Sequence, residues 1–388
     1  MNLNQLYNIF DMREAAERRL PKGIFEYVDK GTEDGISLAE NRVAYERMKL
    51  RTRFLNDWST RDMGTEIFGK RIELPFGIAP TASAGLMWFQ GELELAKAAA
   101  AAGIPFTLAT GALTSLEQIT EALPDSRKWF QLYPWSDEEA SYEMVTRARD
   151  LGWEALVITI DGVPGRGREH NERNGYSFPF KLNRTAAIDM MMHPGWLWRV
   201  MRKYMLTEGM PTNANYPERY RHAINDAKHK RPKSFQAMTW EHIRKFREFW
   251  PRKLIIKSIL SADQARAAVD AGADAIVVSN HGGRSFDSSI APIDMLPEIV
   301  EAVGDRCTVM VDSGIRRGSD IVKALARGAK MVLVGRATLY GTACGGQAGA
   351  ARAIQILASE MERSCGYVGA RNVRELGPHI FAQPERLT

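Results

Sequence analysis

The chain has 388 residues and a net charge of +5, with 45% hydrophobic and 26% charged residues, proportions that are typical of a soluble globular protein. The absence of any Lys/Arg run excludes an obvious nucleic-acid partner, and no window reaches the ~18 uninterrupted apolar residues of a membrane span. Cys307, Cys344 and Cys365 are widely spaced, which indicates reduced thiols in a cytoplasmic protein without a metal site.

Residues 1–60 are expected to form a polar, helical N-terminal segment, and residues 61–388 a barrel, within one domain. Helix-period segments such as 91–102 and 261–271 alternate with short apolar runs, which predicts a parallel sheet. Eight such runs predict a closed TIM (β/α)8 barrel of the α/β class. A doubly wound open sheet is the alternative, but the Gly-rich dinucleotide turn expected after its first strand is missing. The predicted strands are Leu74–Ala82, Ile104–Thr110, Trp129–Pro134, Ala155–Asp161, Leu254–Ile259, Ala275–His281, Thr308–Gly314 and Met331–Ala337.

The fourth predicted unit is irregular, because 161–253 is far too long for one connecting helix. We therefore expect a long insertion after strand 4, at about residues 177–240. Within it, residues 188–205 are rich in Met, Trp and Arg and are interrupted by Pro194-Gly195. This stretch is interpreted as a lid, as a packing helix, or as an amphipathic patch lying on a membrane surface.

The run 275–278 ends abruptly in Ser279-Asn280-His281-Gly282-Gly283-Arg284, which is typical of a buried strand that stops at a tight turn. A lone His281 there would be an ordinary turn residue. However, the carboxyl ends of barrel strands converge on one mouth. The other predicted strand ends contribute Thr81, Ala82, Thr110, Gln131, Tyr133, Thr159, Asp161, Lys257, Asp312 and Arg336, with Arg168 just beyond strand 4.

The last two strand ends predict a phosphate site, which is the usual position for one in this fold. Gly314, Gly318 and Gly335 expose backbone N–H groups, and Arg316 or Arg336 can clamp an anion. The barrel is therefore expected to hold a phosphorylated cofactor or substrate.

Several motifs resemble the FMN-dependent (S)-2-hydroxy acid oxidase and dehydrogenase family, which includes glycolate oxidase, lactate dehydrogenases and mandelate dehydrogenase. They cover nearly the whole barrel in order. They are LPKGIFEY (20–27), APTA (79–82), FQLY (130–133), GRE (167–169), SNHGGR (279–284) with Asp287, DSGIRRGSDIVKALA (312–326) and VGR (334–336).

The resemblance implies that the bound cofactor is FMN and that His281 is the base, with Asp161 as its charge partner. It further implies that Arg168, Arg284 and Tyr27 bind the substrate carboxylate. Tyr133 is then expected at the substrate hydroxyl and Lys257 beside the flavin ring. The implied FMN contacts are Thr81, Ala82, Thr110, Gln131, Thr159, Lys257, Ser279, Asp312, Gly314, Arg316, Gly335 and Arg336.

The chain departs from the family at the second strand end, which reads Ala109-Thr110-Gly111 where relatives carry a Ser and then a bulky residue. The space left by Gly111 predicts a substrate larger than glycolate or lactate. Trp88 and Phe89 are expected to line that space, and the alternative is that Met87 or Trp135 fills it.

The resemblance of residues 188–205 to the insertion of membrane-associated relatives favours a quinone or similar electron acceptor, with peripheral binding to the inner face of the membrane. An oxygen-using oxidase is the alternative. A flavoenzyme of this fold acting on a bulky or peptide-derived group, and a barrel isomerase or aldolase with Lys257 as a Schiff base, also remain open. The resemblance also implies that the protein is a homo-oligomer, namely a tetramer.

Overall fold

The computed structural model describes residues 2–162, 167–176, 183–226, 233–235 and 237–382. Eight parallel strands close into a barrel in the order β10-β3-β4-β5-β6-β7-β8-β9, and two short antiparallel strands, β1 and β2, form a separate hairpin. The predicted TIM barrel is therefore confirmed. The strands are β1 (Thr65–Ile67), β2 (Lys70–Ile72), β3 (Phe76–Thr81), β4 (Phe106–Ala109), β5 (Lys128–Leu132), β6 (Ala155–Thr159), β7 (Lys253–Ile259), β8 (Ala275–Val278), β9 (Thr308–Val311) and β10 (Met331–Val334).

Helices surround the barrel and precede it. Three of them lie before the first strand, and the others follow the barrel strands or belong to the insertion. They are α1 (Ile9–Glu17), α2 (Lys22–Asp29), α3 (Ile36–Arg47), α4 (Gly91–Ala101), α5 (Leu116–Ala122), α6 (Glu138–Asp150), α7 (Glu169–Arg173), α8 (Arg184–Met191), α9 (Pro194–Trp196), α10 (Arg202–Thr207), α11 (Trp240–Phe249), α12 (Ala262–Asp270), α13 (Pro292–Val303), α14 (Gly318–Ala326) and α15 (Arg336–Val368).

The barrel interior is packed, and its amino-terminal end is plugged by the hairpin. Ile67 and Ile72 of the hairpin are buried in the same apolar cluster as Trp129, Val157 and the other inward-facing strand residues. Side chains fill the interior of such a barrel. The carboxyl end is therefore where a ligand cavity can form.

Two sequence expectations need correction. The N-terminal segment is helical only to Arg47, because the chain then runs extended and Leu50 pairs with Phe381. The barrel strands also end earlier than expected. For example, β8 stops at Val278 because the chain turns away from the sheet, and His281 adopts a left-handed backbone conformation with φ 60°.

The last helix, α15, bends sharply in its first half. Gly345 and Gly346 have non-helical backbone angles, so the segments before and after them fold against each other. Gly341 and Gly349 meet backbone to backbone across this bend, where a Cβ on either glycine would overlap the carbonyl oxygen of the other. The bend lets α15 pack on α1, α4 and α14.

The predicted insertion lies between β6 and β7. The expected interruption near Pro194 is present, since α8 ends at Met191, but the chain then continues from α9 through a π-helical turn (Leu197–Met201) into α10. Trp196 donates a hydrogen bond from Nε1 to the Leu86 carbonyl at 2.7 Å, so this part of the insertion packs on the loop after β3. Among the described residues, no helix combines the length and the apolar character needed to cross a membrane.

Candidate active site

A cavity of about 570 Å³ opens at the carboxyl end of the barrel. Every barrel strand, or the loop that follows it, contributes to its wall, together with α2 and the insertion. The predicted site residues that line it are Tyr27, Thr81, Ala82, Thr110, Gln131, Tyr133, Thr159, Arg168, Lys257, His281, Arg284, Asp312, Gly314, Arg316, Gly335 and Arg336. Three other predicted residues do not line it. Asp161 and Ser279 bond to residues of this wall. The N–H of Gly318, which was expected to face a phosphate, instead donates to the Glu360 carboxylate at 2.9 Å.

His281 is paired with a carboxylate. Its Nδ1 lies 2.9 Å from Oδ2 of Asp161, and the Ser285 hydroxyl donates to the same oxygen at 2.8 Å. The left-handed turn that follows β8 carries the imidazole over the mouth. The turn requires Gly283, since a Cβ there would lie 2.6 Å from the backbone nitrogen of Leu38 in α3. Such a carboxylate orients an imidazole and stabilises its protonated form.

Tyr133 lies beside this pair. Its hydroxyl oxygen is 3.2 Å from Nε2 of His281, and the two rings are nearly parallel, with centroids 6.2 Å apart. The loop after β5 and the loop after β8 therefore bring a phenol and an imidazole to the same side of the cavity.

Lys257 is buried on β7 and is held by two polar partners. Its Nζ lies 2.9 Å from the Asp312 carboxylate and donates to the Ser279 hydroxyl at 2.7 Å. The Ser279 oxygen also accepts the backbone N–H of His281 at 3.0 Å. Ser279 therefore positions both the ammonium group and the turn that carries the imidazole.

Two arginines lie where α2 borders the mouth. Nη1 of Arg284 donates to the backbone carbonyls of Tyr27 and Lys30, and its guanidinium lies 5.0 Å from the centroid of the Tyr27 ring. Arg168 donates from Nη2 to the Arg284 carbonyl at 3.2 Å. The structure thus brings together the three side chains that were predicted to bind a carboxylate.

Arg336 is buried and ties α2 to the barrel. It donates to the carbonyls of Val28, Gly282 and Lys30 at 2.7, 2.8 and 3.1 Å. Burial lowers the pKa of Arg336 to about 10, so the guanidinium stays charged at neutral pH. It therefore adds a positive potential to the glycine-rich end of the cavity, where Arg316 also lies.

Among the buried polar atoms of the cavity wall, Nε2 of Gln131 and Oγ1 of Thr159 lie on the neighbouring strands β5 and β6 and have no hydrogen-bond partner among the described residues. Buried polar groups normally find a partner, so these atoms indicate a polar ligand between β5 and β6. Together with the Lys257 ammonium, they fit the nitrogen- and oxygen-bearing edge of a flavin ring. The cationic, glycine-rich end fits its phosphate.

Comparison with known proteins identifies the family. A sequence model of the FMN-dependent dehydrogenase family matches residues 16–383. The chain belongs to this family. Its members include relatives named as 2-hydroxy acid dehydrogenases and as oxidases, and the protein is an FMN-dependent enzyme of this 2-hydroxy acid oxidase and dehydrogenase family.

Individual relatives are similar over nearly the whole chain. The (S)-mandelate dehydrogenase of Pseudomonas putida is 36% identical over 384 residues, which cover 99% of this chain and 95% of that protein. The 4-hydroxymandelate oxidase of Amycolatopsis orientalis is 38% identical over 367 residues, covering 94% and 95%. The crystal structure of the monotopic membrane protein (S)-mandelate dehydrogenase superposes with a TM-score of 0.91 at 36% identity and covers 98% of this chain and 100% of that chain.

The structure corrects the expected lining of the space near Gly111. Trp88 and Phe89 do not line the cavity. Phe89 instead packs against Tyr204 of the insertion, with ring centroids 4.8 Å apart. Trp135 lines the cavity and Met87 does not, but neither lies within 4 Å of a Cβ placed at Gly111, where Ala82 and Asn213 are the neighbours.

Sequence reasoning also missed three residues near the site, Ser285, Asn213 and Tyr216. Ser285 directly follows the SNHGGR motif, and this proximity was the only available signal. Asn213 and Tyr216 belong to the insertion, whose sequence offers no periodicity that would direct them to the barrel mouth.

Proposed function

We propose that the protein oxidises an (S)-2-hydroxy acid with a side chain larger than that of lactate to the 2-oxo acid, with His281 as the base. The observation that carries this proposal is the His281–Asp161 pair at the wall of a cavity that also contains Arg168, Arg284 and Lys257. A base, a pair of carboxylate-binding cations and a cation at a flavin edge are the groups that this oxidation requires.

In the proposed reaction, Arg168 and Arg284 bind the substrate carboxylate and thereby fix which face of the substrate is presented. Tyr133 hydrogen-bonds the substrate hydroxyl. Because Nδ1 of His281 faces Asp161, Nε2 is the nitrogen that accepts a proton from the substrate, and the Asp161 carboxylate stabilises the imidazolium that results.

The two electrons that leave the substrate would pass to a bound FMN, which is the chemistry that the cofactor would supply here. Gln131, Thr159 and Lys257 would contact its ring, and the positive charge of Lys257 would stabilise negative charge developing there. The remaining contacts would position the ring and hold the ribityl chain and phosphate. They are Thr81, Ala82, Thr110, Ser279, Asp312, Gly314, Arg316, Gly335 and Arg336.

The size of the substrate is inferred from Gly111. A Cβ placed there would meet the Ala82 Cβ at 3.4 Å and Nδ2 of Asn213 at 3.8 Å, which are ordinary contact distances. The position therefore accepts a side chain without backbone strain, and glycine leaves that volume to the substrate. Relatives of similar identity are named for mandelate and 4-hydroxymandelate, which carry aromatic side chains, and for lactate, so the size inference rests on the cavity.

Anaerobic bleaching of the flavin tests this function. A panel of (S)-2-hydroxy acids from lactate to mandelate is expected to bleach the flavin absorbance of the purified holoenzyme, with the larger acids reacting faster. Gly111→Trp is expected to slow the larger acids by at least about tenfold relative to lactate. The indole ring is larger than one methylene group, and a single methylene group in a pocket already changes selectivity by about tenfold or more. Equal loss for all acids would contradict the size inference, and a flavin that no acid bleaches would contradict the proposed reaction.

For the electron acceptor we propose a quinone or a similar compound, reached through peripheral contact of the insertion with a membrane. Trp198 and Met205 are 63% and 56% exposed, and the Arg202 guanidinium lies 4.0 Å from the Trp198 ring. A face with apolar and cationic side chains is typical of interfacial segments. The large apolar side chains of the insertion that are more than half exposed are Ile188, Met191, Met192, Trp198, Met205 and Leu206.

Vesicle sedimentation tests the membrane contact. The holoenzyme is expected to sediment with vesicles that contain anionic lipid, and Trp198→Gln combined with Leu206→Gln is expected to weaken partitioning at least about tenfold, because two large apolar groups no longer leave water. Tyr7→Gln is the matched control, since Tyr7 is 71% exposed but lies outside the insertion. Equal partitioning of the double variant and the wild type would contradict the proposed contact.

The electron acceptor is tested separately, by the rate at which the reduced flavin is reoxidised. Reoxidation by air as fast as by a quinone would favour the alternative, an oxygen-using oxidase.

A further inference from the structure

A short segment of the insertion, residues 213–215, lies along residues 111–116, which form the loop after β4 and the first residue of α5. Hydrogen bonds from both backbone and side-chain groups hold this segment of the insertion against the barrel mouth beside Gly111. The hydrogen bonds run from Asn213 Nδ2 to the Gly111 carbonyl (3.0 Å), from the Ala214 N–H to the Ala112 carbonyl (3.1 Å), from Asn215 Nδ2 to the Thr114 carbonyl (3.1 Å) and from the Leu116 N–H to Asn215 Oδ1 (2.9 Å).

The two asparagines of this segment differ in what they face. Asn213 is 3% exposed and lines the active-site cavity together with Tyr216 and Trp135, whose rings meet edge to face with centroids 4.8 Å apart. Asn215 is fully buried and does not line the cavity. Asn213 therefore supplies a side chain to the part of the cavity wall where Gly111 supplies none.

The orientation of the Asn213 amide follows from its partner. The Gly111 carbonyl can only accept a hydrogen bond, so the amide nitrogen must face it. The amide oxygen is buried without a partner among the described residues. One hydrogen bond thus holds the side chain, and an apolar residue of similar size would lose that bond while removing an unsatisfied acceptor.

The wall lies opposite the proposed carboxylate site. In the closed barrel, β4 and β8 are four strands apart in either direction, so Gly111 and Asn213 lie across the mouth from His281 and Arg284. A 2-hydroxy acid whose carboxylate is bound on the β8 side directs its side chain towards the β4 side.

We propose that Asn213 is a specificity-determining residue that sets the length limit of the substrate side chain. This inference rests on the proposed oxidation of a 2-hydroxy acid in the same cavity. It assigns side-chain recognition to the insertion, which supplies Asn213 and Tyr216, rather than to the barrel strands that carry the reacting groups.

The test compares Asn213→Ala, Asn213→Leu and Asn215→Ala in the flavin-loaded enzyme. Asn213→Ala opens space at the wall, so kcat/KM for (S)-3-phenyllactate is expected to rise about tenfold relative to lactate, since each added methylene group in a pocket changes selectivity by about 10–200-fold. Asn213→Leu keeps the number and branching of the side-chain heavy atoms, so it opens no space, and it is expected to retain the wild-type ratio. Asn215→Ala is the matched control, because it removes hydrogen bonds of the same segment away from the cavity, and the wild-type ratio is expected there too.

A second readout does not require turnover. Acetate and 3-phenylpropionate are titrated into each holoenzyme, and binding is followed by the change in flavin absorbance. A shift of the affinity ratio in Asn213→Ala alone supports the inference even if no 2-hydroxy acid is oxidised, in which case only the proposed function fails. An unchanged ratio in Asn213→Ala, or an equal change in Asn215→Ala, would overturn the role of Asn213.

Discussion

Substitution of His281 by Asn is expected to slow substrate oxidation by about 10³- to 10⁴-fold, at the upper end of what a positioned general base contributes. Asn is the suitable replacement because His281 has a φ of 60°, a conformation that Asn adopts more readily than most residues. The rate of flavin bleaching at saturating substrate, measured anaerobically by stopped flow, reports the effect. The flavin content of the variant is expected to match that of the wild type, since the imidazole is proposed to act on the substrate.

Ser285→Ala is the control for this experiment. It removes the hydroxyl that donates to Asp161 but leaves the His281–Asp161 pair in place, so a loss of less than about tenfold is expected, in line with one hydrogen bond of about 1 kcal/mol. A His281→Asn enzyme that retains more than a tenth of the wild-type rate would show that another group is the base.

Substitution of Gly349 by Ala is expected to lower the free energy of unfolding by about 3 kcal/mol or more, at the upper end of the range for overpacked positions. On an ordinary helix this change would be stabilising, because Ala has the higher helix propensity. Here the added Cβ would overlap the carbonyl oxygen of Gly341 across the bend in α15, and two backbone segments must move apart. Thermal unfolding of the flavin-loaded enzyme, compared with the wild type, measures the loss.

Gly366→Ala makes the same change in the same helix. The atoms nearest to its Cβ would be ring atoms of Trp58, the closest at 3.3 Å, and a side chain can shift more cheaply than a backbone. A change of less than about 1 kcal/mol is expected. Equal Tm values for Gly349→Ala and the wild type would mean that the two halves of α15 are not held in contact.

Many elements of this protein were predictable because local sequence encodes them. The β-branched runs around Ile276 and Ile256 are buried on both faces, as parallel strands require, so alternation with helix-period segments was enough to predict the barrel. The convergence of Lys257, His281 and Arg284 at one mouth followed from that topology alone. The motifs at the strand ends then indicated FMN and a 2-hydroxy acid.

Other features were not predictable in this way. Nothing local shows that the chain turns left-handed at His281, that α15 folds back at Gly345, or that Phe89 packs on the insertion instead of lining the cavity. Each of these depends on which distant segment occupies the neighbouring space. The hydrogen bond of Asn213 to Gly111, for example, joins residues 102 positions apart.

By itself, the sequence determined the (β/α)8 barrel, the family and the set of polar residues at the strand ends. These features depend on hydrophobic periodicity, turn residues and short motifs, each of which is contained within a few consecutive positions. Only the tertiary structure decided that Ser285 joins the pair of His281 and Asp161, that Arg336 is bound by backbone carbonyls, and that the insertion supplies the wall opposite the arginines. These contacts form between segments that are far apart in the chain, and their geometry is set by packing of the whole barrel rather than by any local preference.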